Sequence, residues 1–159
     1  MLLSLSTRRP PQGRWGTAAV AGFVAGGLLV WWSAAIHLHL WLSFGYRHIA
    51  TIGPLFLLQA VAGIVLGALV VAVHRLWTAV LGLGLVASTA VGLAVAVEHG
   101  LFGFRDSWAA PFALQSLVTE LIAVVVLASV AAVCALAPAA APPPVTEAAR
   151  SARPSATKT

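Results

Sequence analysis

The side chains that could do chemistry in this chain are few and concentrated. The stretch His37 to Gln59, HLHLWLSFGYRHIATIGPLFLLQ, holds His37, His39, Arg47, His48 and Gln59 in a protein with only 8% charged residues. A second group follows at Glu98, His99, Arg105, Asp106, Gln115 and Glu120. Imidazole and carboxylate are ligands for zinc, copper or haem iron, and they also carry protons. His37 and His39 are two residues apart, however, and on a regular helix they point about 200° from each other. That spacing opposes a two-histidine chelate on one helix. It predicts that one of the pair faces a helical bundle while the other meets the interface beside Trp41. A metal or haem would then need ligands from several helices: His37 or His39 with His99 or His48 for haem, or one of these histidines with Glu120 or Glu98 for zinc or copper, with His39, His99 and Glu120 the first candidates.

Glu120 is the strongest single signal. A charged side chain inside a membrane span costs about 3 kcal/mol on insertion scales, so it marks either a function or a buried partner. It could pair with Arg47, Arg105 or a histidine, ligate a metal, or lock the fourth helix to the first. Gln59 and Gln115 read as interhelical hydrogen-bond partners before they read as ligands. Other chemistry lacks its motifs: there is no Gly-rich phosphate loop, HExxH, CxxC or nucleophile elbow. Ser43, Ser88, Ser107 and Ser116 have no evident base beside them in sequence.

These residues must be positioned by membrane helices. The 159-residue chain is 60% hydrophobic, with mean hydropathy +0.98, more apolar surface than one small soluble core can hide. A span needs about 20 apolar residues, and four fit. The pattern predicts an all-α transmembrane four-helix bundle. Residues 1–16 form an N-terminal segment and residues 17–136 the bundle, with spans at about 17–42, 50–73, 78–97 and 111–136. Residues 137–159 form a Pro- and Ala-rich tail that reads as disordered. Pro111 suits the first turn of the fourth span. A cleavable signal peptide is disfavoured because the first apolar run continues through Trp31 and Trp32 to Leu42.

Eight of the nine basic residues are Arg. With both termini on one side of the membrane, that side has Arg8, Arg9, Arg14, Arg75, Arg150, Arg153 and Lys158, against Arg47 and Arg105 on the other. The excess predicts a multi-pass plasma-membrane protein with both termini cytoplasmic. The charge is not arranged as a stripe with aromatics, which argues against nucleic acid as a partner. The lipid bilayer is the expected partner, with other membrane proteins or self-association left open. Cys134 is the single cysteine, so no intrachain disulfide can form. Gly22 with Gly26, Gly63 with Gly67, and Ser88 with Gly92 are small pairs at the spacing of close helix contacts. Trp15, Trp41, Trp77 and Trp108 fall at predicted span ends, as interfacial anchors do; Trp31 and Trp32 lie mid-span.

An internal repeat connects the two polar groups. Gly45-Tyr46-Arg47 precedes Pro54 and Gln59, and Gly103-Phe104-Arg105 precedes Pro111 and Gln115. The chain reads as two hairpins related by an axis along the membrane normal, with a functional surface between them. By helical rise His37 and His39 lie about 12 and 9 Å before Gly45, Gln59 about 8 Å past Pro54 and Glu120 about 14 Å past Pro111. All fall in the outer half of the membrane.

The two loops, HLHLWLSFGYRHIATIGPLFLLQ and GLFGFRDS, resemble those of a group of small four-span membrane proteins from high-GC Gram-positive bacteria, over roughly residues 18–136. The resemblance implies a four-helix membrane protein and brings no functional residues with it. Three functions remain open. The first is a non-enzymatic accessory or binding subunit with a polar site on the outer side, formed by His37, His39, Arg47, His48, Gln59, Glu98, His99, Arg105, Gln115 and Glu120. The second is a haem- or transition-metal-binding electron carrier. The third is a small proton- or cation-coupled transporter with Glu120 as the carrier.

Overall fold

A computed structural model of the protein describes residues 8–11 and 13–137. Within them the chain is all-helical. Four long helices follow one another: α1 (Arg14–Ser43), α2 (Ile52–Val73), α3 (Leu76–Glu98) and α4 (Ala113–Leu136), with one 3-10 turn, Tyr46–His48, between α1 and α2. Each helix is long and apolar enough to cross a membrane. The side chains on the outside make the same point. Leu58, Val61, Ile64, Val65, Leu121, Ile122 and Val125 are all large, apolar and exposed. A helix apolar on every side is stable only where the surrounding medium is apolar too. The fold is therefore that of a small membrane protein.

Neighbouring helices in sequence pack together and α4 closes against α1, while α1 and α3 touch only lightly across the diagonal. The closest pair is α1 with α2, and glycine sets its spacing. A Cβ on Gly63 would stand 2.7 Å from that of Ala34, and one on Gly27 would stand 2.9 Å from the Gly67 carbonyl oxygen. Backbones so close gain dispersion contacts that lipid cannot supply. Trp31, unexplained by its position in the sequence, is the clasp of this pair: its ring lies against Gly67 and its Nε1–H donates to the Ile64 carbonyl at 2.9 Å. Gly22 and Gly26 instead receive Val130 and Leu127 of α4. The third small pair, Ser88 with Gly92, is not a helix contact. Nothing lies within 4 Å of a Cβ at Gly92, and both residues face a cavity.

Packing divides the bundle into unlike halves. Toward the chain ends, Phe23, Val30, Val70, Val86, Ala123, Leu127 and Cys134 form a solid core. Toward the long loops a smaller cluster of Ile36, Leu40, Tyr46 and Ile52 borders a cavity of about 340 Å³. An N-terminal arm closes the solid end. The Arg8 carbonyl accepts the Leu76 N–H at 3.0 Å, and the Arg8 guanidinium donates to the carbonyls of Ala135 and Ala137. One residue thus serves the orphan backbone groups of two helix ends, with its positive charge where the α4 dipole is negative.

The helix bounds differ from the sequence expectation at two places. α1 begins at Arg14, so residues 14–16 belong to the helix rather than to the preceding segment. Pro111 is not in the first turn of the fourth helix, which starts at Ala113 behind a left-handed Phe112 (φ 63°). A proline at position 111 also disfavours helix in the residue before it, so the turn ends before the helix begins. The proposed tail from 138 onward and the first seven residues lie outside the described residues.

Candidate functional site

The cavity opens among all four helices near the loops. Its walls are mostly apolar, with Leu40, Ile52, Leu55, Leu85, Leu93 and Leu101 among them, and four aromatic residues, Tyr46, Phe56, Phe104 and Phe112, also line it. Tyr46 stacks on Phe56 (centroids 4.6 Å apart, planes 26° apart) and meets the edge of Phe104 at 5.9 Å. The loop backbone makes this shelf. Gly45 and Gly103 both sit in the left-handed region (φ 80° and 79°), which glycine enters without steric cost, and each turns the aromatic residue after it toward the bundle. Phe102 and Phe112 enter the same region (φ 52° and 63°) without glycine's freedom. Backbone strain of this kind persists only where surrounding contacts hold it; the Phe112 ring is held against His39 at 5.4 Å and Phe44 at 5.9 Å.

Polar groups descend through the bundle from this rim. At the top the Tyr46 hydroxyl donates to Asp106 Oδ2 at 3.4 Å, and the Asp106 N–H donates to the Ala96 carbonyl at 3.1 Å. Deeper in the bundle are His37 and Gln59. His37 Nδ1 lies 2.9 Å from the Ser33 carbonyl. A carbonyl only accepts, so Nδ1 carries the proton and Nε2 is left as the acceptor of the neutral ring. The His37 ring also packs on Phe56 at 4.9 Å. Gln59 is only 6% exposed, and its amide nitrogen has no hydrogen-bond partner.

Glu120 ends the descent, 0% exposed. Its Oε1 accepts from the hydroxyls of Ser33 on α1 at 2.9 Å and Ser116 on its own helix at 3.1 Å, while Oε2 has no partner. Thr89 of α3 lies beside the carboxyl, but its hydroxyl donates to the Leu85 and Val86 carbonyls. Of the roles the sequence allows Glu120, the structure shows the lock of α4 onto α1. Its partners are hydroxyls, not Arg47, Arg105 or a histidine.

The remaining sequence candidates divide cleanly. His37 is buried; His39 is exposed, against Phe44 and Phe112. Arg47, His48, Glu98, His99 and Arg105 are exposed at the loop end and none lines the cavity. All but His99 hold one another or the loops: Arg47 Nε donates to His48 Nε2 at 3.0 Å, Arg105 Nη2 to the Glu98 carbonyl at 2.7 Å, and Trp108 Nε1 to Glu98 Oε1 at 3.3 Å. Gln115 is exposed, so it does not mirror buried Gln59. Among the described residues no group of three or more His, Cys, Asp or Glu side chains could hold a metal ion; His39, His99 and Glu120 therefore do not assemble into one. Ser33, Thr89, Phe56, Phe104 and Phe112 are site residues that the sequence reading passed over. A helical signal was available: Ser33 lies four residues before His37 and Ser116 four before Glu120, one turn away in each case.

Together these features define a small four-helix membrane protein with a cavity among its helices. Compared with protein-family models, with curated proteins and with solved structures, the chain has no significant match.

Two outcomes follow for the site. Glu120→Gln keeps an acceptor for both serine hydroxyls and loses less stability than Glu120→Leu, which strands two buried hydroxyls and costs about 1–3 kcal/mol. Thermal or denaturant unfolding in micelles measures both, and equal losses would show that the hydroxyl bonds carry no stability. Tyr46 is the sole tyrosine, so its ionisation can be followed directly by absorbance. Burial, then the facing Asp106 carboxylate and its hydrogen bond, push it from the ordinary 10 up to about 12. A raised folded value means the contribution to stability is complete below pH 10 and disappears as pH rises through about 12. In Asp106→Asn the midpoint moves back toward that of the unfolded chain; an unmoved midpoint would remove Asp106 from the account.

Proposed function

We propose that this chain is a non-enzymatic binding subunit of the plasma membrane, whose site is the cavity between its four helices. The observation that carries the reading is Gln59: an amide donor without a partner, nine-tenths buried, on the wall of a cavity of about 340 Å³. An unsatisfied buried donor costs about 1–3 kcal/mol, and a mostly apolar pocket of about 300–1,000 Å³ with a few converging polar groups is the usual form of a small-molecule site. An occupant that accepts from Gln59 removes the cost.

The rim with Tyr46 and Asp106 faces outward and both chain ends face the cytoplasm. The excess of Arg at the chain ends and at Arg75 supports this orientation. The two hairpins are copies of one unit. What supports that reading is the pair of left-handed glycines, Gly45 and Gly103, each followed by an aromatic ring and an exposed arginine, with the two rings in contact. Gln115 is where the copies part, and the second copy adds Glu120.

Binding is tested by native mass spectrometry of protein purified from its own membrane in mild detergent. The unaltered chain should carry a small apolar molecule near one per protein, and Gly92→Phe, which fills open cavity space, should lose it; equal adducts on both proteins count against the site. Orientation is tested with a membrane-impermeant thiol reagent. Buried Cys134 stays silent, so His48→Cys should label on intact cells and Arg75→Cys only after permeabilisation. The reverse pattern would invert the topology.

A further inference from the structure

The cavity wall carries more information about its occupant than size alone, and the following rests on the binding reading above. Three properties narrow the ligand. The first is charge. Among the described residues that line the cavity there is no Lys or Arg, the one acidic liner is Asp106 at the rim, and a second carboxyl, Glu120, is bonded to the liner Ser116. A carboxylate or phosphate would be brought toward these acids with no cation to meet it, which opposes an anionic lipid or fatty acid. The second is shape. Tyr46 and Phe56 form a stacked pair with Phe104 edge-on, a surface that favours a flat ring in offset or edge contact.

The third is hydrogen-bond polarity. Gln59 supplies an unpartnered N–H donor. His37 supplies the complementary acceptor, because its Nδ1 proton is committed to the Ser33 carbonyl. The two are neighbours on the wall: the His37 ring rests on Phe56, and Gln59 follows Phe56 by three residues, about 4.5 Å along the same helix.

We infer that the cavity binds an uncharged, lipid-soluble aromatic diol of the quinol class, one hydroxyl donating to His37 Nε2 and the oxygen of the other accepting from the Gln59 amide. The corresponding quinone has only acceptors and satisfies Gln59 alone, so the reduced form is the better ligand. Binding, not electron transfer, is the event described; no bond is made or broken.

The test uses the full chain in micelles and equilibrium dialysis against protein-free micelles, with naphthohydroquinone kept reduced by dithionite, naphthoquinone, naphthalene and naphthoate as probes. Naphthohydroquinone should bind the unaltered protein at least three- to tenfold more tightly than naphthalene, about the ratio one net hydrogen bond supplies, with naphthoquinone between them and naphthoate weakest. Gln59→Leu should remove about that same factor from naphthohydroquinone and leave naphthalene unchanged. Naphthalene binding as tightly as the diol, naphthoquinone matching or exceeding it, or naphthoate binding best would each overturn the quinol assignment while leaving the cavity a binding site. If no probe binds the unaltered chain above the Gly92→Phe protein, the binding reading falls with it. Because the probe series compares ligands on the unaltered chain, the result does not depend on the Leu variant folding.

Discussion

The carboxyl of Glu120 is the point on which the arrangement of helices depends. Lipid offers no hydrogen bonds, so a polar side chain within a span must find its partner inside the protein. Glu120 finds Ser33 and Ser116, and in doing so it fixes α4 against α1 at one height. Below that height the bundle is filled by Phe23, Val30, Leu127 and their neighbours. Above it the same four helices leave room. The hydrogen-bonded acid joins the two halves: its partner Ser116 lines the cavity, and Ala123 and Leu127 further along the same helix belong to the solid core.

The rim keeps the hollow half open in a different way. The α1–α2 pair is drawn together by Gly27, Gly63 and Gly67 on one side, while Ser88 and Gly92 line the cavity, with nothing within 4 Å of a Cβ at Gly92. The aromatic shelf of Tyr46, Phe56 and Phe104 spans the loops above, braced by the Tyr46–Asp106 bond. Small residues therefore do two opposite jobs in one bundle. Where a backbone meets them they produce contact, and where nothing meets them they produce space.

The sequence carried the helices because their signal is length and apolarity, and both are local. It carried the inward direction of one of the two histidines, since positions two apart cannot face the same way on a helix. It could not tell which residue of a polar set would be shared between helices. Glu120 was visible as an expense, but Ser33 was not visible as its partner, because a serine hydroxyl in a span can satisfy itself on its own helix. Gln115 has the place in Gly-Phe-Arg…Pro…Gln that Gln59 has in Gly-Tyr-Arg…Pro…Gln, yet on a helix that starts at Ala113 it is exposed. His39, His99 and Glu120 agree in approximate depth, yet depth alone does not bring side chains together: two are exposed and Glu120 is buried.

The arm at the closed end links the first described residues to the last. Arg8 joins the start of α3 through its backbone and the end of α4 through its guanidinium. During synthesis the arm leaves the ribosome before either partner exists, so its carbonyl waits for the start of α3 and its guanidinium for the end of α4. The full set of its bonds can form only once the final helix is in place. A segment made before all four helices is then the last to settle completely, and it does so only on a chain whose helices have all arrived.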